Sequence, residues 1–173
     1  MGRRKDDGVT LLELLIVVAL LSIIAAFALP RLLRARMAAN ETSAIASLRS
    51  VAVAQDVFSH VCGDGNYATS LGVLGAALPG SAQPLIPADL SSSDTPAKAG
   101  YLFGLSRSPG AVEGRPDCHG VATATRFYGT AVPQSLTTSG RRSFAVTTNL
   151  GLWQLAGAVA PAEPFGPPAV PIQ

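Results

Sequence analysis

The sequence predicts an α+β chain in which a long N-terminal α-helix, part transmembrane and part amphipathic, packs on a small antiparallel β-sheet. Three observations carry this prediction. An apolar run of 21 residues from Val9 to Leu29, VTLLELLIVVALLSIIAAFAL, contains a single charge at Glu13. The stretch Arg31 to Val61 has no Gly or Pro and is rich in good helix formers. Residues 62–173 hold 15 Gly and 12 Pro among 112 residues, with short alternating runs between the turn residues.

Residues 1–8, MGRRKDDG, form a polar leader carrying Arg3, Arg4 and Lys5. Residues 9–29 follow as a helix of about 31 Å, close to the roughly 30 Å hydrocarbon core of a bilayer. This run concentrates the apolar excess of a chain that is 48% hydrophobic and only 14% charged over 173 residues, against about a quarter charged in an ordinary soluble domain. Arg31, Arg34 and Arg36 balance the leader's three cations, so the flanks leave the orientation of the span undecided. An ordinary signal peptide cut near Ala26-Phe27-Ala28 and a plain single-span anchor are the competing readings. The run is long for the first, and Glu13 is unexplained by the second.

Residues 30–61 continue the helix. Pro30 lacks an N–H and crowds the carbonyl four residues earlier, which predicts a kink. Ala44, Leu48, Val51, Phe58 and Val61 recur on one stripe interrupted by Gln55, with Asn40, Glu41, Ser43, Ser47, Ser50 and Asp56 on the other side. Residues 62–155 form a globular part, mostly loop to residue 98, with a short helix over Ser70–Leu78. Strands are predicted at Tyr101–Ser106, Val121–Val132, Ser143–Thr148 and Gly151–Leu155, the last two joined by a hairpin turn at Asn149 and Gly151. The amphipathic half of the long helix is the natural cover for the apolar face of such a sheet. Residues 156–173, with five prolines and one charge, read as a Pro/Ala-rich tail over the surface.

The run Gly8-Val9-Thr10-Leu11-Leu12-Glu13-Leu14-Leu15-Ile16-Val17-Val18, with Pro30 as the twenty-second residue after Gly8, resembles the N-terminus of type IV pilins and of the pseudopilins of type II secretion. The resemblance is dense over about 23 residues, loose along the rest of the helix, and limited beyond it to the order of loop and sheet. It implies cleavage by a prepilin peptidase between Gly8 and Val9, N-methylation of Val9, and an assembly registry role for Glu13. It also implies a pilin-like fold, a single pass through the inner membrane before assembly, and then an extracellular or periplasmic filament. The implied partners are the membrane, further copies of the chain in a homopolymer, other pilins, the peptidase and an inner-membrane assembly platform. Val9 stands where the family most often has Phe. Two alternatives remain: a pseudopilin or minor pilin of a type II secretion or DNA-uptake system, and a membrane-anchored binding domain that never polymerises.

The chemistry of Glu13 fits the resemblance. A carboxylate at the centre of a hydrocarbon layer costs about 3 kcal/mol on insertion scales, so Glu13 either lies near the interface, where it can snorkel, or has a partner. A Val9 α-amine freed by cleavage has a reference pKa of about 8 and supplies one, either on a neighbouring helix or within the same chain one turn away.

Cys62 and Cys118 are expected to form a disulfide in an oxidising compartment. A Cys₂His₂ set with His60 and His119 is the alternative, but its spacing matches no common zinc pattern, so neither metal nor cofactor is expected. Without G-x-S-x-G, a P-loop or H-E-x-x-H, no enzyme is expected. The net charge of +2 lies in residues 1–61, and residues 62–173 carry six charges of each sign, so no basic patch for nucleic acid is expected.

Overall fold

A computed structural model describes residues 10–81 and 83–172. Helix α1 spans Leu11–Val61. By internal contacts the chain divides into two units, Met1–Arg36 and Met37–Gln173, which are described separately. In the first, every described residue is exposed, including the apolar side chains from Leu11 to Leu33.

In the second unit, Ala44, Leu48, Val51 and Phe58 of the stripe read from the sequence are buried with Ala52 in one continuous core with the sheet, whereas Val61, the last residue of that stripe, is exposed at the helix end. Two short helices, α2 (Leu71–Leu74) and α3 (Ala88–Ser91), follow, and the Ser70 hydroxyl accepts from the Val73 N–H to cap α2. The sheet has six strands: β1 (Ala97–Lys98), β2 (Tyr101–Arg107), β3 (Phe127–Pro133), β4 (Arg142–Thr147), β5 (Leu152–Ala156) and β6 (Val170–Pro171). Spatial order equals chain order and every pair is antiparallel, a simple meander. The core-facing side chains follow the two-residue strand period: Tyr101, Phe103 and Leu105 on β2, and Phe127, Gly129 and Ala131 on β3. Gly129 has a packing reason. A Cβ there would lie 3.0 Å from Val146 and 3.8 Å from Leu48, so its absence lets the helix side chain settle on the strand.

Three sequence expectations are corrected. The strand expected from Val121 begins only at Phe127, because Ala124 exchanges both backbone hydrogen bonds with Tyr67 and Thr125 donates to the Val112 carbonyl, turning this segment toward other loops. The short helix covers Leu71–Leu74 within the longer stretch expected. Glu41 and Ser47, assigned to the outer side of the helix, are buried. Glu41 accepts from the Arg141 backbone N–H (2.8 Å) and from the Arg142 guanidinium through Nε (2.9 Å) and Nη2. A charge-assisted pair of this kind fixes where the helix meets β4.

Gln55, the interruption in the apolar stripe, is fully buried. Its Nε2 donates to the Ala68 carbonyl (2.8 Å) and its Oε1 accepts the Ala68 N–H (2.9 Å). One amide thus satisfies both backbone groups of a buried loop residue. Gln55→Leu keeps the volume but strands both groups, and is expected to cost about 2–4 kcal/mol. Urea unfolding should show this as a lowered midpoint with an unchanged slope.

Tyr101 is buried and donates to the Arg142 carbonyl (2.9 Å). Burial, then the Glu41 carboxylate, raises its phenol above the ordinary range, with a smaller opposite pull from Arg142. Tyr128 is raised by burial and then by Glu163. Unfolded phenols ionise near pH 10, so above that pH the unfolded state loses these protons first. Stability that is full below about pH 10 should therefore decline as pH rises beyond it. Thermal melts across this range should show the decline, and Tyr101→Phe should make it shallower while costing about 1 kcal/mol at neutral pH.

Candidate assembly helix and disulfide junction

The N-terminal site is built on the first turns of α1. Thr10 Oγ1 accepts the Glu13 backbone N–H at 3.2 Å, and the Thr10 carbonyl accepts from Leu14 at 3.1 Å. Thr10-Leu11-Leu12-Glu13 has the S/T-x-x-E spacing of a capping box, a signal that sequence reasoning passed over. Glu13 therefore occupies the first turn, where a negative charge is favoured by the helix dipole. Its side chain is exposed, as are its apolar neighbours Leu11, Leu12, Leu14, Leu15 and Ile16. Gly8 and Val9, the expected cleavage and methylation positions, lie outside the described residues.

Along residues 14–29 the helix is apolar on every side, the pattern of a segment surrounded by lipid or by other helices. It is long and apolar enough to cross a membrane. The one hydroxyl within it, Ser22, donates to the Val18 carbonyl (2.8 Å), so it adds no unsatisfied donor to an apolar surrounding. Pro30 lies inside α1 and offers no N–H to the Ala26 carbonyl. Arg31, Arg34 and Arg36 follow within two turns, where cations meet a membrane surface.

At the other end of α1, Cys62 and Cys118 are joined in a disulfide with Cα atoms 4.9 Å apart. The helix stops here because Cys62 and Gly63 both donate to the Phe58 carbonyl, and Gly63 has no room for a side chain: a Cβ would fall 2.1 Å from the Asn66 carbonyl oxygen. The Cys118 N–H donates to the Cys62 carbonyl (3.0 Å), so backbone and sulfurs join the same two segments. Of the two histidines weighed with the cysteines, His119 lies against the sulfurs, whereas His60 pairs with Asp56 one turn back on the helix at 3.8 Å.

Comparison with known proteins bears on the first of these sites. Residues 3–29 match a family model described as the prokaryotic N-terminal methylation motif. Over 55 residues the chain is 44% identical to the type IV wide pilus major component PilA4 of Thermus thermophilus, covering 32% of this chain and 42% of that protein. The chain thus matches less than half the length of that relative. No solved structure matches the fold. The methylation motif and the likeness to a pilin thus point to the N-terminal segment of a chain whose long apolar helix runs ahead of an antiparallel sheet.

Proposed function

We propose that the chain is a structural subunit of a type IV pilus-like filament, held in the inner membrane as a single span, cut after Gly8 by a prepilin peptidase and polymerised through residues 9–29. One observation carries the reading: a lone carboxylate, Glu13, on the first turn of a helix whose residues 11–29 carry no other charge and are exposed on all sides. In the membrane that helix is solvated by lipid, and in a filament the same surface is covered by other copies. The protonated Val9 amine of one subunit meets the Glu13 carboxylate of its neighbour only when the helices dock in one register, so the pair selects geometry more than it adds stability. Pro30 introduces the local kink that lets the helix adjust between the two settings. The domain 62–173 forms the filament's outer layer, and an assembly platform in the inner membrane lifts each subunit from the bilayer.

Mass spectrometry of the mature N-terminus tests the reading. A chain beginning at Val9, with or without one added methyl group, is the expected result. A chain beginning at Leu29 would assign the run to ordinary signal peptidase, and an uncut Met1 or Gly2 would make the chain a membrane-anchored domain.

A further inference from the structure

The His119 ring sits between two fixed partners. Its Nδ1 lies 3.4 Å from Cys118 Sγ and 3.7 Å from Cys62 Sγ, while its Nε2 lies 3.1 Å from the Ala77 carbonyl oxygen. A carbonyl only accepts, so in the neutral ring Nε2 carries the proton and the Nδ1 lone pair faces the sulfurs. The loop is held independently of the disulfide. Asp117 Oδ1 accepts the backbone N–H groups of both His119 and Val121 at 2.8 Å, and the Cys118 N–H is bound to Cys62. The two sulfurs and Nδ1 all lie within 4.8 Å of one another, and Cys118 and His119 are exposed to solvent.

We infer that, once the disulfide is reduced, Cys62, Cys118 and His119 form a Cys₂His site for a thiophilic divalent ion of the Zn²⁺ type. A thiol reductant supplies two electrons and two protons, splits the Sγ–Sγ bond into two thiols and is itself oxidised to a disulfide. Zn²⁺ then displaces the two thiol protons to solvent, forming two Zn–S bonds and one Zn–Nδ1 bond with a water in the fourth position, and the set of one dication and two thiolates is neutral. The Ala77 carbonyl on Nε2–H is the outer partner that metal-bound imidazoles characteristically have. Disulfide and metal therefore exclude one another while joining the same segments, the end of α1 and the 117–121 loop.

The test uses the full chain in detergent, reduced with a phosphine under anaerobic conditions, with Zn²⁺ titrated against a chromogenic chelator and Co²⁺ as a spectroscopic substitute. One Zn²⁺ per reduced chain, none per oxidised chain, and thiolate-to-cobalt charge-transfer bands are expected. His119→Ala should weaken binding by at least about tenfold, since even loss of an outer partner costs 10–100-fold, while His60→Ala should leave it unchanged. Equal losses in the two histidine variants, or none in His119→Ala, would mean an unstructured thiol pair and overturn the inference. If the reduced chain unfolds, as read by Trp153 fluorescence, recovery of the native spectrum on adding Zn²⁺ supports the site and failure to recover overturns it.

Discussion

Glu13→Ala is expected to abolish filaments while leaving the domain 37–173 as stable as in the native chain. Glu13 belongs to the first unit, where its backbone N–H is bound by Thr10 and its carboxylate is exposed. Removing the charge makes membrane insertion easier, by less than the roughly 3 kcal/mol of a charge at the bilayer centre because Glu13 sits on the first turn, so the variant should accumulate as a cleaved, membrane-held subunit. What it loses is discrimination. With nothing to pair with the Val9 amine, helices can slide past one another along an unbroken apolar surface, and each incoming subunit brings an unpaired cation into the bundle. Electron microscopy of sheared cell surfaces and fractionation of the membrane pool measure the two halves of this outcome. Normal filaments from Glu13→Ala would refute the registry role, and Glu13→Asp, which keeps the charge on a shorter arm, should fall between the two.

Replacing both cysteines by alanine is expected to lower the stability of the folded domain by about 4 kcal/mol, the chain-entropy value for a loop of this length. The sequence separation of 56 residues makes this the long covalent closure in the chain. For a domain of this size the loss should appear as a fall of roughly 10–15 °C in the melting temperature. A stability of 5–15 kcal/mol is typical of such domains, so the variant should still fold at room temperature but show raised sensitivity to protease. The measurement is calorimetric melting of the oxidised native chain beside the double variant. A shift of only a degree or two would mean that Cys118 N–H to Cys62 O and the Asp117 turn already hold the junction without the sulfurs.

Much of this arrangement was legible in the sequence because periodicity reports burial. The stripe from Ala44 to Phe58, the alternation Tyr101, Phe103, Leu105, and the turn at Asn149 and Gly151 each identify an element by a local rule. The elements that escaped have no local signal. β1 and β6 are two residues long, too short to show alternation, and each exists only because a longer neighbour presents an open edge. Val121–Arg126 alternates like a strand, yet its backbone is engaged by Tyr67 and Val112, partners far away in sequence. Glu41 reads as surface from its charge, and only the arrival of Arg142, 101 residues later, makes it an interior residue. At the candidate site, Glu13 stood out because an isolated charge in an apolar run is conspicuous in one dimension. The selection of His119 over His60 was invisible, since both lie within two residues of a cysteine and only the fold distinguishes them.

The meander has a consequence for the order in which the domain is made. Each of its strands pairs with the strand just before it in the chain, so each pairing can form as soon as the next segment emerges, the longest loop to close being the one between Arg107 and Phe127. The contacts that dock the helix are of the opposite kind: Asn40 to Ser139 and Glu41 to Arg142 span 99 and 101 residues. Gln55 finds Ala68 early, but Asn40 and Glu41 at the start of the amphipathic half of α1 must wait for residues 139–142 before their partners exist. A chain delivered N-terminus first therefore carries Asn40 and Glu41 unsatisfied for most of its synthesis, and truncations ending before Arg142 should remain protease-sensitive around these two residues even where earlier strands have already paired.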